Sequence, residues 1–147
     1  MKEQFSIIIN TSRKKVWETL WGDETYPQWT APFCEGSKAI TDWKEGSKVL
    51  FSDGEDRGMV SMIARNIPYE FISFKMLGEL KNGVEDFTSD NAKKLAGGME
   101  NYTLTGDGNK THLTVDLSGT NLDQHIMNYF LQTWPKALEA LKAVAEK

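Results

Sequence analysis

The sequence is poor in cysteine, in long apolar runs and in positive charge, and each shortage excludes a class of protein. A single cysteine, Cys34, cannot form a disulfide within the chain, which agrees with a reducing compartment. No apolar run approaches the ~20 residues that a membrane-spanning helix needs, so we expect no membrane insertion. The net charge of −4 is unfavourable for contact with a phosphate backbone, so we expect no nucleic acid partner.

Motifs for metal, cofactor or nucleophilic chemistry are also lacking. Neither His112 nor His125 has a partner at metal-ligand spacing, and the sequence has no Gly-x-Ser-x-Gly, phosphate-binding loop or dinucleotide fingerprint. Cys34 stands next to Glu35, whose charge raises a thiol pKa and disfavours a reactive thiolate. We therefore expect no metal site and no cofactor, and we interpret Cys34 as a structural or incidental thiol.

The chain has the size of one domain. Its 147 residues are 39% hydrophobic and 11% aromatic, which is typical of a globular protein with a single core. No repeat, low-complexity stretch or linker divides the sequence. The start, residues 1–5, has no apolar signal segment, which favours the cytoplasm. We predict a single cytoplasmic domain over residues 1–147.

Short alternating patterns predict a run of strands. Phe5, Ile7 and Ile9 lie at every second position, and this alternation predicts the first strand. In the last strand, His112 has the same parity as the polar Thr114, so we expect it on the solvated face. After the first strand, the predicted strands cover residues 38–43, 48–52, 58–67, 70–77, 100–105 and 111–118.

A short helix pattern follows the first strand. Residues 16–21 carry one apolar face, and the helix is predicted to be capped by Thr11 or Ser12 and to end at Gly22. Three cations, Arg13–Lys15, lie in its first turn, where the helix dipole disfavours them. They form either a solvated turn or a surface for an acidic partner.

Two less regular segments have weaker patterns. Residues 23–29 predict a second helical turn capped by Asp23, and an aromatic loop over residues 29–33 follows it. Residues 78–98 form an unusually long polar connection, with a pattern for a helical turn at 90–95. Connections of this length are usually functional lids or mobile segments.

A long amphipathic helix pattern covers residues 123–147. Apolar residues recur at three- and four-residue spacing, so one stripe faces the sheet. Pro135 removes a backbone donor and clashes with the preceding turn, which predicts a bend near residues 131–134. We expect the C-terminal half to close on the core and the N-terminal half to stand off the sheet, leaving a cavity.

Several segments in this order carry a family resemblance: IIINTSRKKVW at 7–17, YPQW at 26–29, WKEG at 43–46, ENYTL at 100–104, THL at 111–113 and WP at 134–135. Together with Gly58 and the Ile-Pro pair at 67–68, they resemble the heat-shock protein 90 ATPase activator homologues of the START-like (SRPBCC) superfamily. The resemblance implies an α+β helix-grip fold, in which a curved antiparallel sheet wraps around a long C-terminal helix and two short helices follow the first strand.

The candidate lining of the predicted cavity combines aromatic and thioether side chains with a few polar groups, as ligand pockets usually do. Ordinary core filling is the alternative role for the methionines. The candidate ligand-binding residues are Trp29, Phe33, Met62, Phe74, Met76, Glu100, Tyr102, Met127, Phe130 and Trp134.

Glu100 is the polar candidate with the clearest consequence. It shares strand parity with Tyr102 and Leu104, so it points inward if they do, and burial then raises its pKa. Glu100 and Tyr102 would in that case orient a ligand or act as a general acid–base pair. The alternative places Glu100 at the solvated end of the strand or beside a lysine.

Three functions are consistent with these patterns. We predict that the chain binds a small hydrophobic molecule between the sheet and the final helix. The resemblance supplies an alternative, a co-chaperone-like or other protein-interaction module, although the chain has no room for the separate N-terminal domain of the eukaryotic co-chaperones. A second alternative is a cyclase- or hydrolase-like enzyme that acts on a small hydrophobic substrate.

Overall fold

Residues 2–147 are described by the computed structural model, and within them one antiparallel sheet carries four helices. The strands are β1 (Lys2–Ile9), β2 (Lys38–Ile40), β3 (Lys48–Ser52), β4 (Gly58–Ile67), β5 (Phe71–Lys81), β6 (Val84–Asp86), β7 (Met99–Thr105) and β8 (Thr111–Ser118); the helices are α1 (Arg13–Trp21), α2 (Tyr26–Thr30), α3 (Asp90–Leu95) and α4 (Gln124–Ala145). The sheet order is β1-β8-β7-β5-β4-β3-β2, and β6 pairs with β5 outside this path. The predicted α+β helix-grip architecture is confirmed.

The sheet is curved, and irregular pairing between β4 and β5 contributes to the curvature. The register shifts between Val60 and Ser61 and again between Ile63 and Arg65. Such bulges bend a strand and increase its twist. The bent sheet presents a concave face to α4, where the Phe5 ring of β1 stacks on a tryptophan of the helix with centroids 6.0 Å apart.

The C-terminal half of α4 forms the centre of the core. Ala137, Leu138, Leu141 and Ala145 are all buried against the sheet and α1. Pro135 lies inside α4, which continues on both sides of it. The bend near this proline therefore stays a prediction, while the burial of the C-terminal half agrees with the expected apolar stripe.

The ends of α1 agree with the sequence prediction, but the start of α2 does not. Ser12 caps α1, its hydroxyl oxygen accepting from the Lys15 amide at 3.2 Å, and the helix ends before Gly22. The predicted Asp23 cap was wrong, since α2 begins three residues later and no side chain caps it. Pro27 in its first turn explains this start, because proline brings no amide that needs a cap.

The prediction of a long irregular connection over residues 78–98 was wrong for its first half. β5 continues to residue 81, and Asn82 and Gly83 then turn the chain into β6 with φ values of 52° and 75°. Positive φ at both central positions is the type I′ hairpin turn that Asn-Gly favours. The helical turn expected at residues 90–95 is confirmed as α3, which Ser89 caps.

In the part of the chain that the structure describes, no helix combines the length and the apolar character needed to cross a membrane.

The close approach of Gly58 to β3 can be tested by substitution. Gly58 has φ +154°, and a Cβ there would lie 1.7 Å from the Phe51 carbonyl oxygen. Gly108 also has a positive φ, +68°, but no heavy atom lies within 4 Å of its Cβ position. Gly58→Ala should therefore cost roughly 1–3 kcal/mol more unfolding free energy than Gly108→Ala, as expected for a forced backbone shift. Urea denaturation of both variants measures the difference, and equal losses would contradict the close β3–β4 contact.

Candidate ligand-binding cavity

A cavity of about 230 Å³ lies between the concave face of the sheet and the N-terminal half of α4. Its walls come from α2 and the loop after it, the β3–β4 turn, the end of α3, and inward residues of β5, β7 and β8. From α4 the lining residues are Tyr129, Phe130 and Trp134, all of which precede Pro135. The hollow is therefore located where we expected the helix to stand off the sheet.

Aromatic rings form most of the cavity wall next to α4. The Phe33 and Trp134 rings meet edge to face with centroids 5.0 Å apart. The Trp29 ring lies 6.3 Å from the Trp134 ring, and the Phe130 ring lies 6.3 Å from the Phe33 ring, so both extend this cluster. The Tyr129 hydroxyl donates to the Phe33 carbonyl oxygen at 2.7 Å, which ties α4 to the loop after α2. The rings are thus held by one another and by the backbone, so the wall is largely preformed.

Glu100 and Tyr102 are the polar pair of the cavity. Both belong to β7, both point inward, and their exposed fractions are only 9% and 3%. The Tyr102 hydroxyl donates a hydrogen bond to the Glu100 carboxylate. The inward alternative for Glu100 is therefore the correct one, and the solvated or lysine-paired alternative was wrong. Two polar groups in contact inside an apolar cavity can orient a ligand or exchange a proton with it.

Burial changes the acid–base behaviour of this pair. It raises the pKa of Glu100 above the ordinary 4.5, and the hydrogen bond from Tyr102 opposes this effect more weakly. Burial also raises the pKa values of Tyr102 and the half-buried Tyr26, and the nearby charge of Glu100 adds to both. Glu100 therefore stays protonated to a higher pH than a free carboxyl group, and both phenols keep their protons.

Most of the candidate residues predicted from the sequence line this cavity. Those in the lining are Trp29, Phe33, Met76, Glu100, Tyr102, Phe130 and Trp134. Their role in binding stays a prediction, because the geometry shows only where they lie.

Three candidates lie outside the cavity. Met62 pairs across the sheet with Lys48 and Lys75, both of which are exposed, so it lies on the convex face. Phe74 is fully buried and belongs to the core, and the centroid of its ring lies 6.0 Å from that of the Tyr102 ring. Met127 is buried on α4 but outside the lining. Strand parity and helical spacing alone did not distinguish residues of the core from residues of the cavity wall.

Several lining residues were missed by the sequence reading. Tyr26 stands three residues before Trp29 in α2, a helical spacing that would have placed the two rings on one face. Leu117 shares the inward parity of Val115 in β8 and was equally accessible to this argument. Leu122, in the loop before α4, carries no periodic signal, and only the fold brings it to the cavity.

A second hollow of about 510 Å³ lies between the α1–α2 junction and the edge strand β2. This second hollow is the larger of the two, and Trp21 is one of its lining residues. The buried indole nitrogen of Trp21 has no hydrogen-bond partner within residues 2–147. The described lining of this hollow nevertheless contains only two aromatic side chains, Trp21 and Tyr26, and no buried carboxyl group. We favour the first cavity as the binding site because it combines aromatic walls with a buried polar pair.

The remaining candidate groups lie away from the cavity or at its edge. His112 is exposed, as its parity predicted, and His125 is exposed as well. Across residues 2–147, no cluster of His, Cys, Asp or Glu side chains is placed to hold a metal ion. Cys34 lines the cavity edge, and burial together with the charges of Asp53, Glu55 and Glu35 raises its thiol pKa, in the predicted direction.

Comparison with protein-family models places residues 10–146 in one family, described as activator of Hsp90 ATPase homolog 1-like protein. The chain belongs to this family. The resemblance found in the sequence is thereby confirmed. Among curated proteins, no sequence matches the chain.

Solved structures show how widely this activator-homologue fold is shared. The Aha1 dimer from Colwellia psychrerythraea superposes with a TM-score of 0.75 at 16% identity, covering 99% of this chain and 96% of that one. Protein MLL2253 from Mesorhizobium loti gives 0.73 at 17% identity, covering 97% and 95%. CalU16 from Micromonospora echinospora gives 0.66 at 15% identity, covering 98% and 75%. At these identities the likeness concerns the fold alone.

Glu100→Gln should make the stability of the protein less dependent on pH. Because the folded-state pKa of Glu100 is raised above 4.5, the folded state keeps a proton that the unfolded state loses above that pH. This proton stabilises the folded protein fully at a pH below the pKa that Glu100 has in the unfolded chain. The stabilisation is lost as the pH rises through the pKa that Glu100 has in the folded protein, by at most about 1.4 kcal/mol per pH unit. Glutamine still accepts from Tyr102 but cannot ionise.

Urea denaturation between about pH 4 and 8 measures this effect. The variant should gain stability relative to the unmodified protein as the pH rises. Parallel stability curves would show that Glu100 titrates normally and is not buried.

Proposed function

We propose that this family member binds a small, largely apolar molecule in the cavity beneath the N-terminal half of α4. The observation that carries the proposal is an aromatic-walled cavity with one buried polar pair, Glu100 and Tyr102. This is the usual composition of a small-molecule site, in which apolar walls supply affinity and a few polar groups fix orientation. A packed core of the same residues would leave no such space.

The size of the cavity limits the ligand. An engineered cavity of about 150 Å³ in another protein holds benzene, and the cavity here has a volume of about 230 Å³. A ligand of the size of two fused rings therefore fits without rearrangement. Sterol-sized molecules would need the N-terminal half of α4 to move outward.

Contacts at the start of α1 favour the cavity over a charged docking surface. Arg13 lies 3.5 Å from the Glu70 carboxylate, and the Lys15 ammonium donates to the carbonyl oxygen of Lys147 at 3.4 Å. Two of the three cations in this turn are thus engaged within the chain. A co-chaperone-like function would have to use another surface or break these contacts.

Blocking the cavity should weaken binding. Leu122 lines the cavity, whereas the neighbouring Asn121 is exposed and lies outside the lining. In Leu122→Trp, the indole ring should occupy the ligand space and weaken binding of 2-naphthalenemethanol by about tenfold or more. Asn121→Trp adds the same ring outside the cavity and should bind as the unmodified protein does.

Isothermal titration calorimetry measures both affinities, and native mass spectrometry of gently purified protein tests for a retained natural ligand. Equal binding by the two variants would place the ligand elsewhere. A protein that neither retains a small molecule nor binds the naphthalene probe would refute the proposed function.

A further inference from the structure

The charged side chains on the cavity wall have one sign only. Glu100 and Asp53 are acidic, and among the described lining residues there is no lysine, arginine or histidine. Ligand pockets that take fatty acids or other carboxylates need a cation or several donors to compensate the charge. The described lining has no cation for that purpose, so an anionic ligand would find no compensating charge there.

No cation among residues 2–147 contributes to the pKa shift of Glu100 either. In the described part of the chain, Glu100 carries the only buried carboxyl group. Its cross-strand neighbours are Phe74 on β5 and Leu117 on β8, both apolar. The titratable groups around it are phenols, Tyr102 on its own strand and Tyr26 on α2, and the acidic Asp53 lies on the β3–β4 turn. A buried acid without a counter-ion is costly, and a ligand with a positive charge would remove that cost.

Aromatic rings that line the same cavity as this acid suit the same kind of ligand. Tyr26, Trp29, Phe51, Tyr102 and Trp134 all line the cavity. Aromatic faces attract cations through the ring quadrupole, and the attraction is largest where water is excluded. Acid and rings together therefore resemble the cages in which proteins hold ammonium groups.

We propose that the preferred ligand of the cavity is an apolar amine whose ammonium group pairs with Glu100, while its ring or chain contacts the aromatic wall. This inference rests on the function proposed above and names the chemical class of the ligand. A neutral molecule of the same shape binds more weakly because its hydrogen bonds to Glu100 are neutral, and these are weaker than the charge-assisted bond of an ammonium group to a carboxylate. A carboxylate of the same shape is excluded.

Binding of an amine changes the protonation of Glu100. Burial disfavours the charge of Glu100 and raises its pKa above the ordinary 4.5, so at any pH below that raised pKa the carboxyl group of the free protein holds a proton. The ammonium ion stabilises the carboxylate, so the proton leaves Glu100 for the solvent, and the Tyr102 hydroxyl continues to donate to the carboxylate oxygen. Each amine bound under these conditions releases up to one proton, and a neutral ligand releases none.

Three probes with one ring system test the proposal. 2-Naphthylmethylamine, 2-naphthalenemethanol and 2-naphthoate carry an ammonium, a hydroxyl and a carboxylate on the same naphthalene. Calorimetric titration at about pH 5.5 should give an affinity for the amine at least about tenfold above that for the alcohol, with the carboxylate weakest. Repeating the amine titration between about pH 4 and 7, in buffers of different ionisation enthalpy, should reveal the released proton.

Glu100→Gln is the decisive variant. It keeps the shape of the pair and the acceptor for Tyr102, so it should lose the preference for the amine, with the amine and alcohol affinities of the variant within about threefold of each other. Far-UV circular dichroism and urea denaturation check that the variant is folded. Asp53→Asn is the matched control at the other acidic residue of the wall, and it should keep the preference for the amine.

The outcomes separate this inference from the proposed function. If the alcohol binds as tightly as the amine, or the carboxylate binds most tightly, the inference fails and the apolar cavity stands. An amine preference that survives in Glu100→Gln, or an amine that releases no proton at any pH between about 4 and 7, also overturns it. If none of the three probes binds and the purified protein retains no small molecule, the proposed function fails, and the inference fails with it.

Discussion

The structure depends on an incomplete contact between α4 and the concave face of the sheet. After Pro135 the helix packs into the core through Leu138 and Leu141, which are almost wholly buried. Before Pro135, Trp134 contacts Phe5 on β1 as well as the rings of α2 and its following loop, and the rest of this half of the helix does not close on the sheet. The space that remains between helix and sheet is the cavity. The same helix therefore closes one end of the domain and leaves a cavity at the other.

The position of Glu100 gives this cavity its chemical character. A leucine at an inward position of β7 would stabilise the fold by apolar burial, as Leu104 does two positions beyond Tyr102. A carboxyl group there costs free energy even with the Tyr102 hydrogen bond, because burial outweighs that bond in its effect on the pKa. Proteins usually keep such local costs where a site needs them. The cavity is thus apolar in its walls and acidic at one point.

Much of the fold followed from local patterns, whereas the cavity followed only in part. β3, β4 and β8 have the predicted bounds because turn-forming residues flank each alternating run. The Asn82–Gly83 hairpin was missed although its turn signal is strong, because the polar residues around it resembled a loop. Met62 and Phe74 have the composition of a pocket but lie on the convex face and in the core. Strand pairing and curvature decide such positions, and a single sequence encodes both only indirectly.

The most direct test of this account is the pKa of Glu100, measured from the carboxyl carbon shift by NMR across a pH titration. The account predicts a value above the ordinary 4.5 in the free protein, because the group lies in an apolar cavity with no cation beside it. It further predicts that saturating amine lowers this pKa. An ordinary value in the free protein would mean that water or a cation reaches Glu100, and the account of the cavity would be contradicted.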